Sequence, residues 1–175
     1  MNNKFSKIIN RKLTILAYYE IAGGVAGQVV MLYLLSQLGA RTGMLLLLLL
    51  FVASIYSFSI YCGKKILKGD IKLALSLSII VQGLQIVSFS LLGYAYRFVS
   101  GIGFLIGFEF FDGFNFRFNF QISNFKINYA SDDNIVSLMV NVVAVYLIQY
   151  ITEIQEDIKE HELILSLDNS NIDTV

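Results

Sequence analysis

One carboxylate lies inside the first long apolar stretch of this chain, and it is the residue with the clearest capacity for acid–base chemistry. Glu20 follows Lys12, the last basic residue of the amino-terminal segment, by about eight residues, or about 12 Å of helix. An ionised carboxyl at that depth in lipid costs several kcal/mol unless it is hydrated or paired. No Lys, Arg or His lies within the apolar stretches to pair with it. We therefore expect a neutral Glu20 that faces other polar groups of the protein.

Polar side chains recur at helical spacing in the other apolar stretches and could meet this carboxyl. If each helix turned its polar stripe inward, the hydrogen bonds of these groups would be satisfied together. The candidate polar site has six members: Glu20, Gln28, Ser57, Gln82, Gln85 and Asn141. Two interpretations stay open. The cluster is either a hydrogen-bond network that fixes the helix register or a site for a proton, a cation or a polar solute.

Small residues share the helix face of Glu20. Gly23, Gly24 and Gly27 follow it at intervals of three, four and seven residues, which places them on one side of a helix. Glycines let helix backbones approach closely, and such contacts drive association in lipid, where apolar burial contributes little. These three glycines are the predicted helix-packing positions.

The sequence contains little that points to catalysis or metal binding. The single histidine, His161, lies in an acidic segment between Glu160 and Glu162 and is more simply a solvated helix surface than a metal site. The zinc-protease, nucleophile-elbow and phosphate-loop motifs are absent from the sequence. The single cysteine, Cys62, cannot form an internal disulfide. We expect no catalytic residue, no metal, no cofactor and no nucleic-acid partner.

The secondary-structure elements that must position these residues are predicted from the composition of the chain. The chain has 175 residues, of which 56% are hydrophobic and 15% charged, against about 25% charged residues in a soluble domain. Mean hydropathy is +0.66. About 20 apolar residues cross a bilayer as a helix. The sequence therefore predicts one membrane domain, an all-α, four-helix transmembrane bundle with spans at about 13–38, 43–62, 73–96 and 135–151.

The basic residues predict the orientation. Cytoplasmic loops are enriched in Lys and Arg, and nine of the 13 basic residues fall on one side of the predicted spans. Those nine are Lys4, Lys7, Arg11, Lys12, Lys64, Lys65, Lys68, Lys72 and Lys159. This bias predicts that both termini are cytoplasmic, in what composition suggests is a bacterial inner membrane.

The connection between the third and fourth spans has a different period. From Phe104 to Ile122 most even positions are large and apolar, whereas the odd positions include most of the polar residues. This two-residue period is typical of a strand with one apolar face. Asp112 and Gly113 form a turn signal between two such runs, and the phase slips at Ser123, which indicates a second turn or a bulge.

We therefore expect a small extracytoplasmic antiparallel β-meander over about 103–130. Phe116, Phe118 and Phe120 should share a buried face, covered by the outer ends of the helices or by the lipid interface. The residues that alternate with them, such as Asn119, should face water.

The carboxyl-terminal segment, about 153–175, carries seven acidic residues and one lysine. It should either lie against the basic segments on the same side of the membrane or bind another protein. Taken together, the sequence favours a non-enzymatic accessory or assembly subunit that packs with itself or with a membrane partner in the lipid bilayer. A small proton, cation or polar-solute carrier using Glu20 is the alternative, and an integral membrane enzyme is the third.

Overall fold

The computed structural model describes residues 2–37, 43–110, 113–128 and 136–172 of the chain. These residues form four helices and four strands, in the order α1 (Asn2–Gln37), α2 (Gly43–Leu67), α3 (Ile71–Ile86), β1 (Val87–Leu91), β2 (Tyr94–Phe110), β3 (Phe114–Asn128), β4 (Val136–Asn141) and α4 (Val142–Ile172). Several predicted boundaries lie outside the described residues: Leu38, Asp112, 129–130, Ile135 and 173–175.

The prediction of an all-α, four-helix transmembrane bundle is wrong. A four-stranded antiparallel sheet occupies much of the second half of the chain. Within the described residues, only α1 and α2 are long and apolar enough to cross a membrane by length and composition. The four-helix membrane architecture is therefore replaced by two such helices, two further helices and a sheet.

The third and fourth predicted spans fail for the same physical reason. Helix α3 ends at Ile86, where the prediction continued to Tyr96. The segment Val87–Leu91 alternates apolar side chains with serine. In Val136–Asn141, apolar side chains that are exposed or half-buried alternate with the buried Ser137, Met139 and Asn141 before α4 begins. The average hydropathy of these segments is apolar in either conformation, so it cannot distinguish a helix from a strand. Their two-residue period is that of a strand.

The sheet is bent so that nearly every strand edge has a neighbour. Its order is β1-β4-β2-β3, and β1 also pairs with the beginning of β2. Strand β4 continues along the same edge of β2, from Leu105 to Phe110. Strand β3 pairs with β2 along its whole length. The two alternating runs therefore do form an antiparallel hairpin, but within a larger sheet than the predicted meander.

A β-bulge bends β2 near its middle. The register between β2 and β3 shifts between Val99 and Ile102, so that Ser100 and Gly101 lie opposite the single residue Ser123. Gly101 has a φ of +89° and Ser123 a φ of +30°, conformations that β-bulges use and that glycine adopts without steric cost. The bulge at the predicted phase slip is therefore confirmed.

The phenylalanine face of the hairpin is not covered by the helices. Phe116, Phe118 and Phe120 do share one face, but 50–63% of each residue is accessible. Their cross-strand partners Phe108 and Phe104 are also exposed. The sheet instead turns a mixed set of side chains inward, including Phe98, Leu105 and Ser100. Of the two predicted covers, burial by the helices is therefore wrong, and cover by the lipid interface stays a prediction.

The four helices pack together around the first half of α1. Their core combines α1, α2, α3 and α4 through residues such as Leu16, Ile66, Leu75 and Ile151. The acidic helix α4 packs against the basic segments, the first of the two predicted alternatives. Lys12 bonds to Glu153 at 2.6 Å and Asp157 at 2.8 Å, and Lys72 bonds to Glu162 at 2.9 Å.

Candidate functional site, a polar cluster at the bend of β2

The bend of β2 turns backbone donors away from the regular strand ladder. Four N–H groups there donate to side chains: Ser100 to Gln85 Oε1 at 2.7 Å, Gly101 to Ser123 Oγ at 2.9 Å, Ile102 to Tyr19 Oη at 3.2 Å and Phe104 to Asn141 Oδ1 at 3.2 Å. A buried N–H without an acceptor costs as much as a lost hydrogen bond or more. These side chains therefore make the bend possible in an apolar environment.

Two tyrosines satisfy carbonyl groups at the same bend. Tyr56 on α2 is fully buried and donates its hydroxyl to the carbonyl of Val99 at 3.1 Å. Tyr19 on α1 donates to the carbonyl of Ile102 at 3.1 Å. Each tyrosine hydroxyl thus fixes a main-chain group of the bend to a helix, so the bend and the α1–α2 pair form one packed unit.

The bulge also binds directly to the backbone of α1. Ser123 accepts the Gly101 N–H and donates its own hydroxyl to the carbonyl of Gly23 at 3.0 Å. A Cβ atom at Gly23 would lie 2.6 Å from the backbone nitrogen of Gly101. Gly23 therefore serves the contact between helix and sheet, because only glycine lets the two backbones approach this closely.

The other two predicted packing glycines lie between α1 and α2. A Cβ at Gly24 would meet Ile60 Cγ1 at 2.6 Å and the Tyr56 carbonyl oxygen at 2.7 Å, and one at Gly27 would enter the Tyr56 ring. On α2, Gly63 makes the reciprocal contact, with its Cβ position 2.5 Å from the Ala17 carbonyl oxygen. The α1–α2 contact therefore resembles the close backbone packing of membrane helices.

Glu20 lies next to the bend and is 1% exposed. Its carboxyl faces Ser78 and Gln82 of α3, and the buried thiol of Cys62 on α2 lies nearby. In the described structure neither carboxyl oxygen has a hydrogen-bond partner, and the same holds for Ser78 Oγ and Gln82 Nε2. Four unpartnered polar atoms therefore converge on one buried spot between α1 and α3.

A chain of hydrogen bonds joins this spot to the bend. Gln85 Nε2 donates to Gln82 Oε1 at 3.2 Å, while Gln85 Oε1 accepts the Ser100 N–H. On the other side, Ser59 Oγ lies 3.3 Å from Ser100 Oγ and donates to the carbonyl of Glu20 at 3.1 Å. The network runs through all three helices around Glu20, whereas the carboxyl itself faces Ser78 and Gln82 without a hydrogen bond of good geometry.

The six predicted site residues therefore separate into three places. Glu20, Gln82 and Gln85 belong to the cluster. Gln28 and Ser57 form a separate interhelical pair at 2.8 Å, in which Gln28 also donates to the Ala53 carbonyl at 2.7 Å.

Asn141 lies in the third place, at the start of α4, and does not meet Glu20. Its side-chain oxygen accepts the N–H groups of Phe104 and Val143, both at 3.2 Å. The bond to Val143 is a helix N-cap contact. Asn141 therefore joins β2 to α4 at the edge of the bend.

Sequence reasoning missed several members of the cluster. Tyr19, Ser59, Ser100 and Ser123 bond to the bend or to its neighbours. Only Ser123 carried a signal, the slip in the alternating pattern. Single tyrosines and serines in apolar helices carry none, because they also occur where the hydroxyl bonds to its own helix, as Ser54 bonds to the carbonyl of Leu50.

The chemistry available to the cluster is that of one carboxyl, one thiol, hydroxyls and amides. Within the described ranges, no three side chains among His, Cys, Asp and Glu are grouped to hold a metal ion. The chain matches no protein-family model, and no curated protein or solved structure is significantly similar to it.

Proposed function

We propose that this chain is a small two-span membrane protein that acts as a non-enzymatic accessory or assembly subunit, with its hairpin lying on the membrane surface. The spans lie in α1, after Lys12, and in α2. Their outward side chains support this assignment, because Tyr18, Val29 and Leu32 on α1 and Leu47 and Leu50 on α2 are each at least 60% exposed. Apolar side chains in such number favour contact with lipid.

The observation that carries the proposal is the two-sided exposure of the hairpin beyond the bulge. Phe116 and Phe118 are exposed on one face, and Asn115 and Arg117 are exposed on the other. A surface with one apolar and one polar side suits the membrane–water interface, where aromatic side chains enter the acyl region and polar groups stay with headgroups and water. At the level of Gly23 in α1, the N–H groups of the β2 bend from Ser100 to Ile102 have side-chain acceptors, as an apolar environment requires.

The orientation is proposed from charge. The amino terminus of α1, the α2–α3 connection and α4 carry the basic residues that the positive-inside bias assigns to the cytoplasm. The ion pairs of Lys12 with Glu153 and Asp157 bring the beginning of α1 and the middle of α4 together, so both lie on the same side. We assign this side to the cytoplasm of a bacterial cell, at its inner membrane.

Tryptophan fluorescence tests the position of the hairpin, because the chain contains no tryptophan. Phe118→Trp and Asn119→Trp place the probe on neighbouring positions of opposite faces. In vesicles with brominated acyl chains, we expect strong quenching of Phe118→Trp and weak quenching of Asn119→Trp, since only the first ring enters the acyl region.

Two further positions calibrate the assay. Leu50→Trp on the lipid side of α2 should be quenched strongly, and Leu163→Trp on α4 should be quenched weakly. If Phe118→Trp behaves like Leu163→Trp while Leu50→Trp is quenched, the hairpin does not enter the membrane and the proposal fails.

A second function, a proton or cation carrier, is favoured by one observation. The Glu20 carboxyl is fully buried and binds no main-chain group among the described residues. Intramembrane carboxyls are functional candidates by default. Vesicles containing the parent protein should then conduct protons or cations, and Glu20→Gln should abolish the flux while keeping the fold. A parent protein that conducts neither rejects the carrier.

A further inference from the structure

In the part of the chain that the structure describes, strand β3 has one long edge without a neighbouring strand. Among the described strands, β4 lies between β1 and β2, β1 contacts both β4 and β2, and β2 has β3 on its other side. Only the outer edge of β3 is left unpaired along its full length. This edge belongs to the same hairpin that presents Phe116 and Phe118 on one face.

An unpaired edge is costly at a membrane surface. Alternate N–H and C=O groups of an edge strand point outward, and they pair readily with any strand that reaches them. Water is scarce where the phenylalanine face enters lipid, so these groups gain more from a protein partner than they would in solution. Soluble proteins protect such edges with charges, proline or bulges, but between Phe114 and Ile122 the single charged side chain is Arg117.

The charge of Arg117 is already compensated within the chain. Its guanidinium bonds to Glu109 of β2 at 3.0 Å, on the polar face of the hairpin. Arg117 therefore does not place a free charge against an approaching strand. The rest of the segment alternates phenylalanine or isoleucine with asparagine and glutamine.

From these features we infer that a second copy of the chain pairs with this edge, β3 against β3 in antiparallel orientation. The inference rests on the proposed membrane position of the hairpin. In the described part of the chain β3 is the strand with a free edge, so the partner strand available from an identical molecule is its own β3. Antiparallel pairing of identical strands follows from a two-fold axis perpendicular to the sheet.

Side-chain chemistry agrees with this pairing. With Phe118 at the centre, Phe116 lies opposite Phe120 of the second copy, and Arg117 lies opposite Asn119. Aromatic pairs adjoin on one face and no like charges meet on the other. Because the two-fold axis is perpendicular to a sheet that lies flat on the membrane, both copies keep the same orientation across the bilayer.

The pairing is tested with purified protein reconstituted at high dilution in lipid vesicles, where no other protein can supply a strand. Single cysteines are placed at Phe116, Phe118 or Phe120 after Cys62→Ala removes the native thiol. The matched control is Phe108→Cys, which has comparable exposure on the same face but lies on β2, behind the edge. We expect disulfide-linked dimers at one of the three β3 positions, at least tenfold above the control.

A second measurement uses the parent sequence, so that no substitution can disturb the fold. Photobleaching of a single dye at the carboxyl terminus should show two steps per particle. One-step bleaching, or equal crosslinking of Phe108→Cys and the β3 variants, overturns the inference. If Phe118→Trp is still quenched by brominated lipid in that case, the membrane position survives, whereas loss of quenching as well rejects both.

Discussion

Replacement of Gln85 by leucine should destabilise the sheet more than any other single exchange among the buried amides. Gln85 is 1% exposed and its Oε1 accepts the Ser100 N–H at 2.7 Å. Leucine has a similar volume, so a large cavity is not created, but the Ser100 N–H is left buried without this acceptor. Such a group costs about 1–3 kcal/mol, and Gln82 also loses the bond from Gln85 Nε2. We expect a loss of about 2 kcal/mol in the free energy of unfolding.

Unfolding in mixed detergent micelles, followed by circular dichroism, measures this loss, and hydrogen exchange of peptides from β2 locates it. Exchange should accelerate around Ser100 and Gly101, because the freed N–H can open without breaking a good bond. Peptides from α2 should be protected as in the parent. This local signature separates the removal of one acceptor from a general loosening of the helices.

The matched control is Gln28→Leu. Gln28 donates to Ser57 and to the Ala53 carbonyl, and it is only partly buried. Its removal leaves no backbone donor without an acceptor, so the cost should be near the average of about 0.6 kcal/mol for a hydrogen bond between helices in lipid. An equal or smaller loss in Gln85→Leu would show that the bend does not depend on this acceptor, and the account of the cluster would be wrong.

Three further predictions concern packing and charge. Gly24→Ala should lower the free energy of unfolding by about 1–3 kcal/mol, because its methyl group would meet Ile60 and the Tyr56 carbonyl. The control is Gly83→Ala, whose methyl group would meet nothing within 4 Å; in the same detergent unfolding assay it should be neutral or stabilising by up to about 1 kcal/mol. Lys12→Met should weaken the packing of α4 by about 1 kcal/mol, as measured by proteolysis of α4. Lys72→Met should have almost no effect in the same assay, because Lys72 is far more exposed. Hydrogen bonds to Asp157 and Glu153 raise the pKa of Lys12 above its ordinary value; its contribution is therefore fully present below that ordinary value and lost only as pH rises through the raised one. Proteolysis of α4 should not change between about pH 7 and pH 9, and a steep rise in that interval would contradict the ion-pair assignment.

The sequence predicted the first half of the fold better than the second for a physical reason. In α1 and α2 an apolar run longer than 20 residues can satisfy its backbone by itself only as a helix. After Ile86 the apolar runs are short and alternate with serine, and there a strand satisfies its backbone through partners far away in the chain. The pairing of Phe89 with Leu138 is such a long-range contact, and no local pattern encodes it.

The same difference explains why the polar site was only partly predicted. Helical periodicity placed Gln82 and Glu20 on the inward faces of their helices, and the structure puts Gln82 next to the Glu20 carboxyl. Helical periodicity could not predict that Asn141 belongs to a strand end or that Ser100 lies in a bulge. A backbone N–H group needs a side-chain acceptor only where the bend takes it out of the strand ladder. That need can therefore be recognised only when the strand partners are known.

Glu20 differs from its neighbours in the cluster in what its side chain binds. Gln85, Tyr19 and Asn141 each bind a main-chain group of β2, so their types follow from the bend: an acceptor is needed where an N–H leaves the ladder. The Glu20 carboxyl binds no main-chain group among the described residues, and the groups that it faces are the side-chain donors Ser78 Oγ and Gln82 Nε2, which an amide oxygen would also accept. A glutamine would fill the same volume and would add a donor for the unpartnered oxygen of a neighbour. If Glu20→Gln therefore proves as stable as the parent or more stable in detergent unfolding, the bend does not require the acid, and the reason for a carboxyl at this depth lies in its ability to exchange a proton. A clear loss of stability would instead assign Glu20 to the structural network, and the carrier alternative would lose the observation that favours it.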